Sequence, residues 1–202
     1  MCESLFIFPV SPAPHLLIER FCGICKPMRK FLFTMFAIVL PALAQSTIPK
    51  SLVQHWQKSG EFTIAVAKAM PAESYNFRPN PDEMSFGHVI AHIAAANIGA
   101  CAIASGLPRP ETPKALADAL KNEKSDVERE TALAYLTTAF DFCNKAVDSM
   151  TPAKLDAVVG VGNRKMTGFE WLWSYFTHTA HHRGQVEVYL RVKGIKPPDY
   201  VF

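Results

Sequence analysis

The sequence predicts an all-α protein in which residues 45–202 form a four-helix bundle. Four segments carry apolar residues at a spacing of three or four, and stretches rich in Pro and Gly separate them. No pair of segments with strand-like alternation appears among them. With 49% apolar and 19% charged residues, the 202-residue chain is globular in composition and long enough for one buried core.

The segment before the predicted bundle has the layout of a secretory signal peptide. A basic pair, Arg29 and Lys30, precedes an apolar run over 31–40, and the triplet at 42–44 is an A-x-A cleavage pattern. We therefore expect a signal peptide over 28–44 and an exported protein, either periplasmic or secreted. The apolar run is too short for a permanent membrane anchor.

Residues 1–27 do not fit this layout, and we interpret them as a start-site over-extension upstream of Met28 or as an unusual leader. Their Cys22 and Cys25 form a lone CxxC, which we regard as incidental. Four of the 21 basic and two of the 18 acidic residues lie before residue 45, which leaves 17 and 16 in the rest. This nearly neutral body disfavours nucleic acid as a partner.

Pro and Gly bound the first two predicted helices. Helix one covers Pro49–Met70, where proline suits the first turn, and Pro71 ends it. Helix two covers 85–104, with Ser85 as its N-cap and Gly106 beyond its end. The many small residues of helix two allow a neighbouring helix to approach closely.

Capping boxes mark the starts of the two later helices. Ser125 with Glu128, and Thr167 with Glu170, each place a hydroxyl three residues before a glutamate. Helix three is therefore predicted from Ser125 to about residue 150, and helix four from Thr167 to about residue 193. Two smaller elements are predicted as well: a helical piece over 114–120 and a short extended strand at Val158, Val159 and Val161.

Only Cys101 and Cys143 follow the predicted signal peptide. Export permits a disulfide, but both cysteines lie in apolar helical stretches where buried free thiols are common. Because sequence spacing cannot show that two helices bring them together, we expect two buried thiols rather than a bridge.

Six histidines follow residue 44, and three of them crowd into the sequence HTAHH of helix four. His178 and His182 are four residues apart, so both point the same way, as in helical zinc sites. A third ligand must come from elsewhere: His92 of helix two, or His88 one turn earlier. The plainer interpretation is a set of core histidines without metal, although clustered imidazoles are costly to bury unpaired. The same face of helix four carries side chains suited to a pocket wall: Trp171, Tyr175, Gln185 and Tyr189.

Three runs of the sequence resemble the DinB-like superfamily of helical bundle proteins, also described as metal-dependent hydrolases. HTAHHRGQVEVYLRVKGIKPP over 178–198 resembles its last helix, MSFGHVIAHIA over 84–94 its second, and MPAESYNFRPNPDEMS over 70–85 its first connector. The resemblance implies a four-helix bundle with a divalent ion, zinc or nickel, held by three histidines. Carried over to this chain, the metal ligands are His92, His178 and His182.

The resemblance extends to the neighbours of these ligands. It implies a supporting role for His181, and Gln185 lies near enough to hydrogen-bond a ligand or a water. These two are the candidates for direct catalysis. Arg183 points away from the ligands and is interpreted as a helix contact or an ion pair, and Gly184 as a position that permits close packing. His88 is then assigned to the core.

Three neutral imidazoles leave a divalent ion with an open position for water, substrate or a thiolate. We therefore expect a metal-dependent enzyme acting on a small molecule, either a hydrolase or a thiol-dependent transferase. No Asp or Glu stands beside the histidines as a general base, and export removes cytosolic thiol cosubstrates. The alternative is a non-catalytic, exported metal-binding or interaction bundle, a homodimer through an exposed face with Trp173 and Phe176.

Overall fold

The computed structural model describes residues 48–200, with side chains from residue 50 onward. Its helices are α1 (Ile48–Ala69), α2 (Phe86–Ser105), α3 (Lys114–Ala119), α4 (Arg129–Asp148), α5 (Pro152–Asp156) and α6 (Gly168–Val192), and a 3₁₀ turn covers Ala72–Ser74. Its strands, β1 (Val158–Val161) and β2 (Arg164–Thr167), pair antiparallel. The leader, the signal peptide and the CxxC expected from the sequence lie outside the described residues.

The four long helices α1, α2, α4 and α6 pack as a bundle. α1 and α2 each contact both α4 and α6, so they occupy diagonal corners of a square. The apolar stripes of the four helices meet in one core, where Trp56, Phe86, Leu136 and Leu172 are each 1% exposed or less. This arrangement confirms the predicted helical bundle and follows from burying one apolar face per helix.

Helix α2 is a core helix of the bundle. Within residues 48–200 it is the one helix long and apolar enough to cross a membrane, yet 72% of its apolar window is buried in the protein. Ser85 caps its start by accepting from the backbone N–H of His88, as predicted, and Gly106 ends it in a left-handed conformation. A methyl group on Gly87 would lie 2.0 Å from the carbonyl oxygen of Val127, so glycine allows the chain before α4 to cross close to α2.

The capping box predicted at Ser125 and Glu128 is wrong. Helix α4 begins only at Arg129, and Glu128 precedes it without a side-chain capping hydrogen bond. The carbonyl oxygen of Ser125 instead accepts a hydrogen bond from Nδ1 of His88, 3.0 Å away. The segment before α4 is thus held across the start of α2, and tertiary contact overrides the local helix signal.

A β-hairpin leads into α6, where the sequence predicted a single short strand. Val161 pairs with Arg164 across the turn, and Gly162 between them has a φ of 60°, a left-handed conformation that favours glycine. The second capping box is confirmed: Thr167 accepts from the backbone N–H of Glu170, and the Glu170 carboxylate accepts from the backbone N–H of Thr167. The hairpin therefore ends where the helix cap begins.

Cys101 of α2 and Cys143 of α4 form a disulfide, so the expectation of two free thiols is wrong. Their Cα atoms lie 5.4 Å apart, a usual separation for bridged cysteines, and both side chains are fully buried. The two helices that it joins pack closely along their length. This proximity is a property of the bundle that spacing along the chain does not reveal.

Candidate metal centre

Three histidine side chains meet between α2 and α6. His92 comes from α2, and His178 and His182 come from successive turns of α6. The Nε2 atom of His178 lies 3.2 Å from that of His92 and 3.1 Å from that of His182. The ligand atoms of the group all lie within 4.8 Å of one another, and among the described residues no Asp, Glu or Cys joins it. The structure therefore brings together the three histidines that the sequence singled out.

Burial is the largest cause that lowers the pKa of each of these imidazoles. For His178 the pKa falls to about 4, with the charges of the neighbouring histidines and of Arg164 adding to the effect. The carboxylate of Glu123, in the connector before α4, acts to raise the pKa of His92, but burial has the larger effect and the pKa is lowered. Neutral imidazole offers a nitrogen lone pair, which is the form that binds a metal ion.

Gln185 orients His182. Its Oε1 accepts a hydrogen bond of 2.7 Å from Nδ1 of His182, less than one turn away on α6. With the proton on Nδ1, the Nε2 atom of His182 presents its lone pair to the cluster. The hydrogen bond expected between Gln185 and a cluster histidine is therefore present. In contrast, the buried Nδ1 of His178 has no partner within residues 48–200.

The donor set fits a divalent metal ion. Zinc binds imidazole nitrogen at about 2.0–2.1 Å, which places the nitrogens of a tetrahedral site about 3.3 Å apart. The separations of 3.1 and 3.2 Å between Nε2 atoms are close to that value. Three nitrogen donors without an acidic ligand leave room for a further ligand, such as a water or a small molecule.

Two other histidines near the cluster have different surroundings. His88 is 1% exposed, and its Nδ1 donates to the carbonyl oxygen of Ser125, so it belongs to the core and stays outside the cluster. His181 is exposed, and its ring lies 4.8 Å from that of His182. His181 is thus beside the cluster without being part of it.

The Arg183 guanidinium contacts α1. Its Nη1 donates to the hydroxyls of Ser59 at 3.1 Å and Thr63 at 3.2 Å, and its Cζ lies 4.7 Å from the centre of the Phe62 ring. Of the two roles expected for Arg183, the helix contact is the one present among the described residues. The close packing expected at Gly184 is absent from the described part of the chain, because a Cβ atom there would meet no atom of residues 48–200 within 4 Å.

Arg164 of the hairpin is a residue that sequence reasoning missed. Its Nη1 donates to the Tyr175 hydroxyl at 3.0 Å, and its Cζ lies 4.8 Å from the centre of the Trp171 ring. The Tyr175 ring in turn lies 5.4 Å from that of His178. The Gly-Asn pair at 162–163 is a hairpin-turn signal that could have indicated the return of β2 over α6.

The fold and the cluster define a mostly helical bundle with a three-histidine site that could bind a divalent metal ion. A family model described as the DinB superfamily matches residues 55–186, which is more than half of the chain. The chain therefore belongs to the DinB superfamily, as its sequence motifs indicated. No curated protein matches the chain significantly.

Solved structures of bacterial proteins share this fold. A DinB-like protein from Bacillus cereus ATCC 10987 is 21% identical with a TM-score of 0.62, over 75% of this chain and 97% of its own. A DinB-like protein from Bacillus subtilis is 19% identical with a TM-score of 0.59, over 74% and 96%. A conserved protein from Enterococcus faecalis is 17% identical with a TM-score of 0.54, over 72% and 95%. At these identities the likeness establishes the fold.

Proposed function

We propose that the protein is an exported, metal-dependent hydrolase in which His92, His178 and His182 hold one divalent ion. The observation that carries the proposal is the approach of the Nε2 atoms of His92 and His182 to within 3.1–3.2 Å of that of His178, with no acidic ligand among residues 48–200. Zinc or nickel suits such borderline nitrogen donors. A divalent ion in a three-histidine site supplies a Lewis acid and lowers the pKa of a bound water.

The disulfide favours water over a thiol as the attacking group. A bridge between Cys101 and Cys143 is a feature of oxidising compartments, and it agrees with the signal-peptide pattern over 28–44. Low-molecular-weight thiols serve as cosubstrates mainly in the reducing cytosol, so export makes thiol transfer the weaker candidate. Periplasmic or secreted location is accordingly part of the proposal.

The chain's own residues have separable roles in this proposal. Gln185 holds His182 in one tautomer through the 2.7 Å hydrogen bond to Nδ1. Because no carboxylate of residues 48–200 joins the cluster, proton transfer falls to solvent or to His181, which is exposed beside His182. The half-buried Tyr175 ring covers His178 and limits access of bulk water on that side.

Metal content and ester hydrolysis test the proposal. We expect about one equivalent of zinc or nickel per chain after purification without chelators, as a single three-histidine site requires. His178→Ala should lower metal affinity by about 100-fold or more and abolish hydrolysis of a panel of p-nitrophenyl esters. His55→Ala, an exposed histidine of α1, is the matched control and should retain both properties.

Two results would contradict the proposal separately. If the purified protein holds less than roughly a tenth of an equivalent of metal, and gains none when zinc or nickel is added, the proposed metal site does not exist. If His178→Ala still hydrolyses the esters, the metal site is not what catalyses the reaction.

A second candidate is a non-catalytic metal-binding or interaction bundle that forms a homodimer. The observation in its favour is a row of aromatic side chains along α6, where Trp173 is 51% exposed and stacks on Phe169 and Phe176. Exposed apolar surface of this kind is typical of interaction sites. A dimeric, metal-loaded protein that hydrolyses none of the esters would favour this candidate.

A further inference from the structure

The Arg164 guanidinium is held in place by neutral groups. It lies over the Trp171 ring, 4.8 Å from its centre, and donates one hydrogen bond to the Tyr175 hydroxyl. No Asp or Glu of residues 48–200 forms an ion pair with it. A guanidinium has five N–H donors, so most of its hydrogen-bonding capacity is open to another group.

Arg164 rests on the same face of α6 as the histidine pair. Trp171, Tyr175, His178 and His182 follow at spacings of four, three and four, so they form one stripe along the helix. The guanidinium covers the first two members of the stripe, and the Tyr175 ring contacts both the guanidinium and the His178 imidazole. A small molecule lying along the stripe would reach both the cluster and the guanidinium.

We infer that Arg164 is the anion-binding residue of this site, so that the substrate carries a carboxylate or phosphate beside the group that approaches the histidine cluster. A planar guanidinium pairs with either anion through two parallel hydrogen bonds. Stacking on Trp171 and the bond to Tyr175 hold it ready for that contact and reduce the entropy lost on binding. This inference rests on the proposed metal site and names the class of its substrate.

A simpler role for Arg164 would be to fasten the hairpin to α6. Such a role uses the ring contacts and the single hydrogen bond to Tyr175, and it does not involve the remaining donors. The two roles differ in one measurable property. A fastener affects every ligand of the site alike, whereas an anion-binding residue distinguishes charged from neutral ligands.

The test uses cobalt-loaded protein and three hydroxamates that share the metal-binding group. One ends in a methyl group, one in a carboxylate and one in a phosphonate, and binding is followed by the visible spectrum of the cobalt ion. Wild type should bind at least one anionic hydroxamate about tenfold or more tightly than the neutral one. The ratio between the carboxylate and phosphonate arms then identifies which anion the site prefers.

Arg164→Gln should lower the affinity for the anionic probes to within about twofold of that for the neutral probe, and the affinity for the neutral probe should stay unchanged. Lys165→Gln is the matched control: it removes the same charge from the next residue of β2, which lines an outer groove with Ile103. That variant should keep the preference. If Arg164→Gln does not fold, Tyr175→Phe replaces it, because loss of the hydroxyl releases the guanidinium and should reduce the preference as well.

Three outcomes would overturn the inference. If wild type binds charged and neutral hydroxamates with equal affinity, Arg164 is not an anion-binding residue, although the metal site is unaffected by that result. An equal loss for all three probes in Arg164→Gln, with a lowered Tm, assigns Arg164 to fastening the hairpin. Absence of any cobalt spectrum, seen before a probe is added, overturns the metal site and this inference together.

Discussion

His178 illustrates how burial in a cluster changes the chemistry of one side chain. Its pKa in the folded, metal-free protein is about 4, well below the ordinary 6.5, because burial and the neighbouring positive groups disfavour the charged form. The unfolded chain therefore binds this proton more readily than the folded one. We expect the stability of the metal-free protein to be fully present above pH 6.5 and to fall as the pH drops towards 4.

Urea unfolding followed by circular dichroism at several pH values measures this dependence. His178→Gln should show a flatter decline than wild type between pH 6.5 and about 4, since one lowered pKa has been removed. Gly184→Ala, which changes no titratable group, is the control and should leave the wild-type slope in place. Parallel curves for wild type and His178→Gln would mean that the imidazole titrates alike in the folded and unfolded states.

The candidate site was predictable from sequence only in part. Helical spacing alone places His178 and His182 together, because four residues make about one turn. His92 and His88 were indistinguishable on that basis, and only the packing of α2 against α6 brings His92 to the pair. Sequence reasoning missed Arg164, because its approach to the site depends on a hairpin that folds β2 back over α6. The Gly-Asn pair at 162–163 signals such a turn, but it does not indicate which side chain of β2 reaches the site.

At the scale of elements, two glycines with opposite surroundings offer a matched comparison. Gly87→Ala would place a Cβ atom 2.0 Å from the carbonyl oxygen of Val127, so backbone must move and we expect a loss of about 1–3 kcal/mol in the free energy of unfolding. In Gly184→Ala the new Cβ atom meets no described residue within 4 Å, so the change should stabilise α6 and the protein by about 0.5–1 kcal/mol. Denaturant titration of both variants measures the two values, and a neutral Gly87→Ala would contradict the close approach.

The predicted helix starts were correct where the local capping signals agreed with tertiary packing. Thr167 and Glu170 cap α6 as expected because the hairpin delivers the chain to that point without competing contacts. Ser125 and Glu128 carry the same pattern, but the Ser125 carbonyl is bound by His88 of α2, so the helix starts later. Local capping energies are small, and one tertiary hydrogen bond with its packing can outweigh them.

At the scale of the whole molecule, the disulfide should contribute strongly to stability. It closes a loop of 42 residues, for which the entropy lost by the unfolded chain corresponds to about 3–4 kcal/mol. Cleavage at the proposed signal-peptide site would leave a protein that starts at Gln45 and contains no reactive thiol, with Cys101 and Cys143 joined. Intact mass and thiol titration measure both, and reduction should lower the urea midpoint. Two titratable thiols in the native exported protein would contradict the bridge.

The disulfide and the histidine cluster have one partner in common, which is α2. A covalent bond joins this helix to α4, and a bound ion at His92 would join it to α6 as well. Helix α1, opposite α2, is secured by packing and by the hydroxyl contacts of Arg183. Helix α2 is thus the common anchor of the bundle, and its amide hydrogens should exchange with solvent last when the protein opens in stages. Loss of a bound ion would then weaken the contact between α2 and α6, while the disulfide keeps α2 joined to α4.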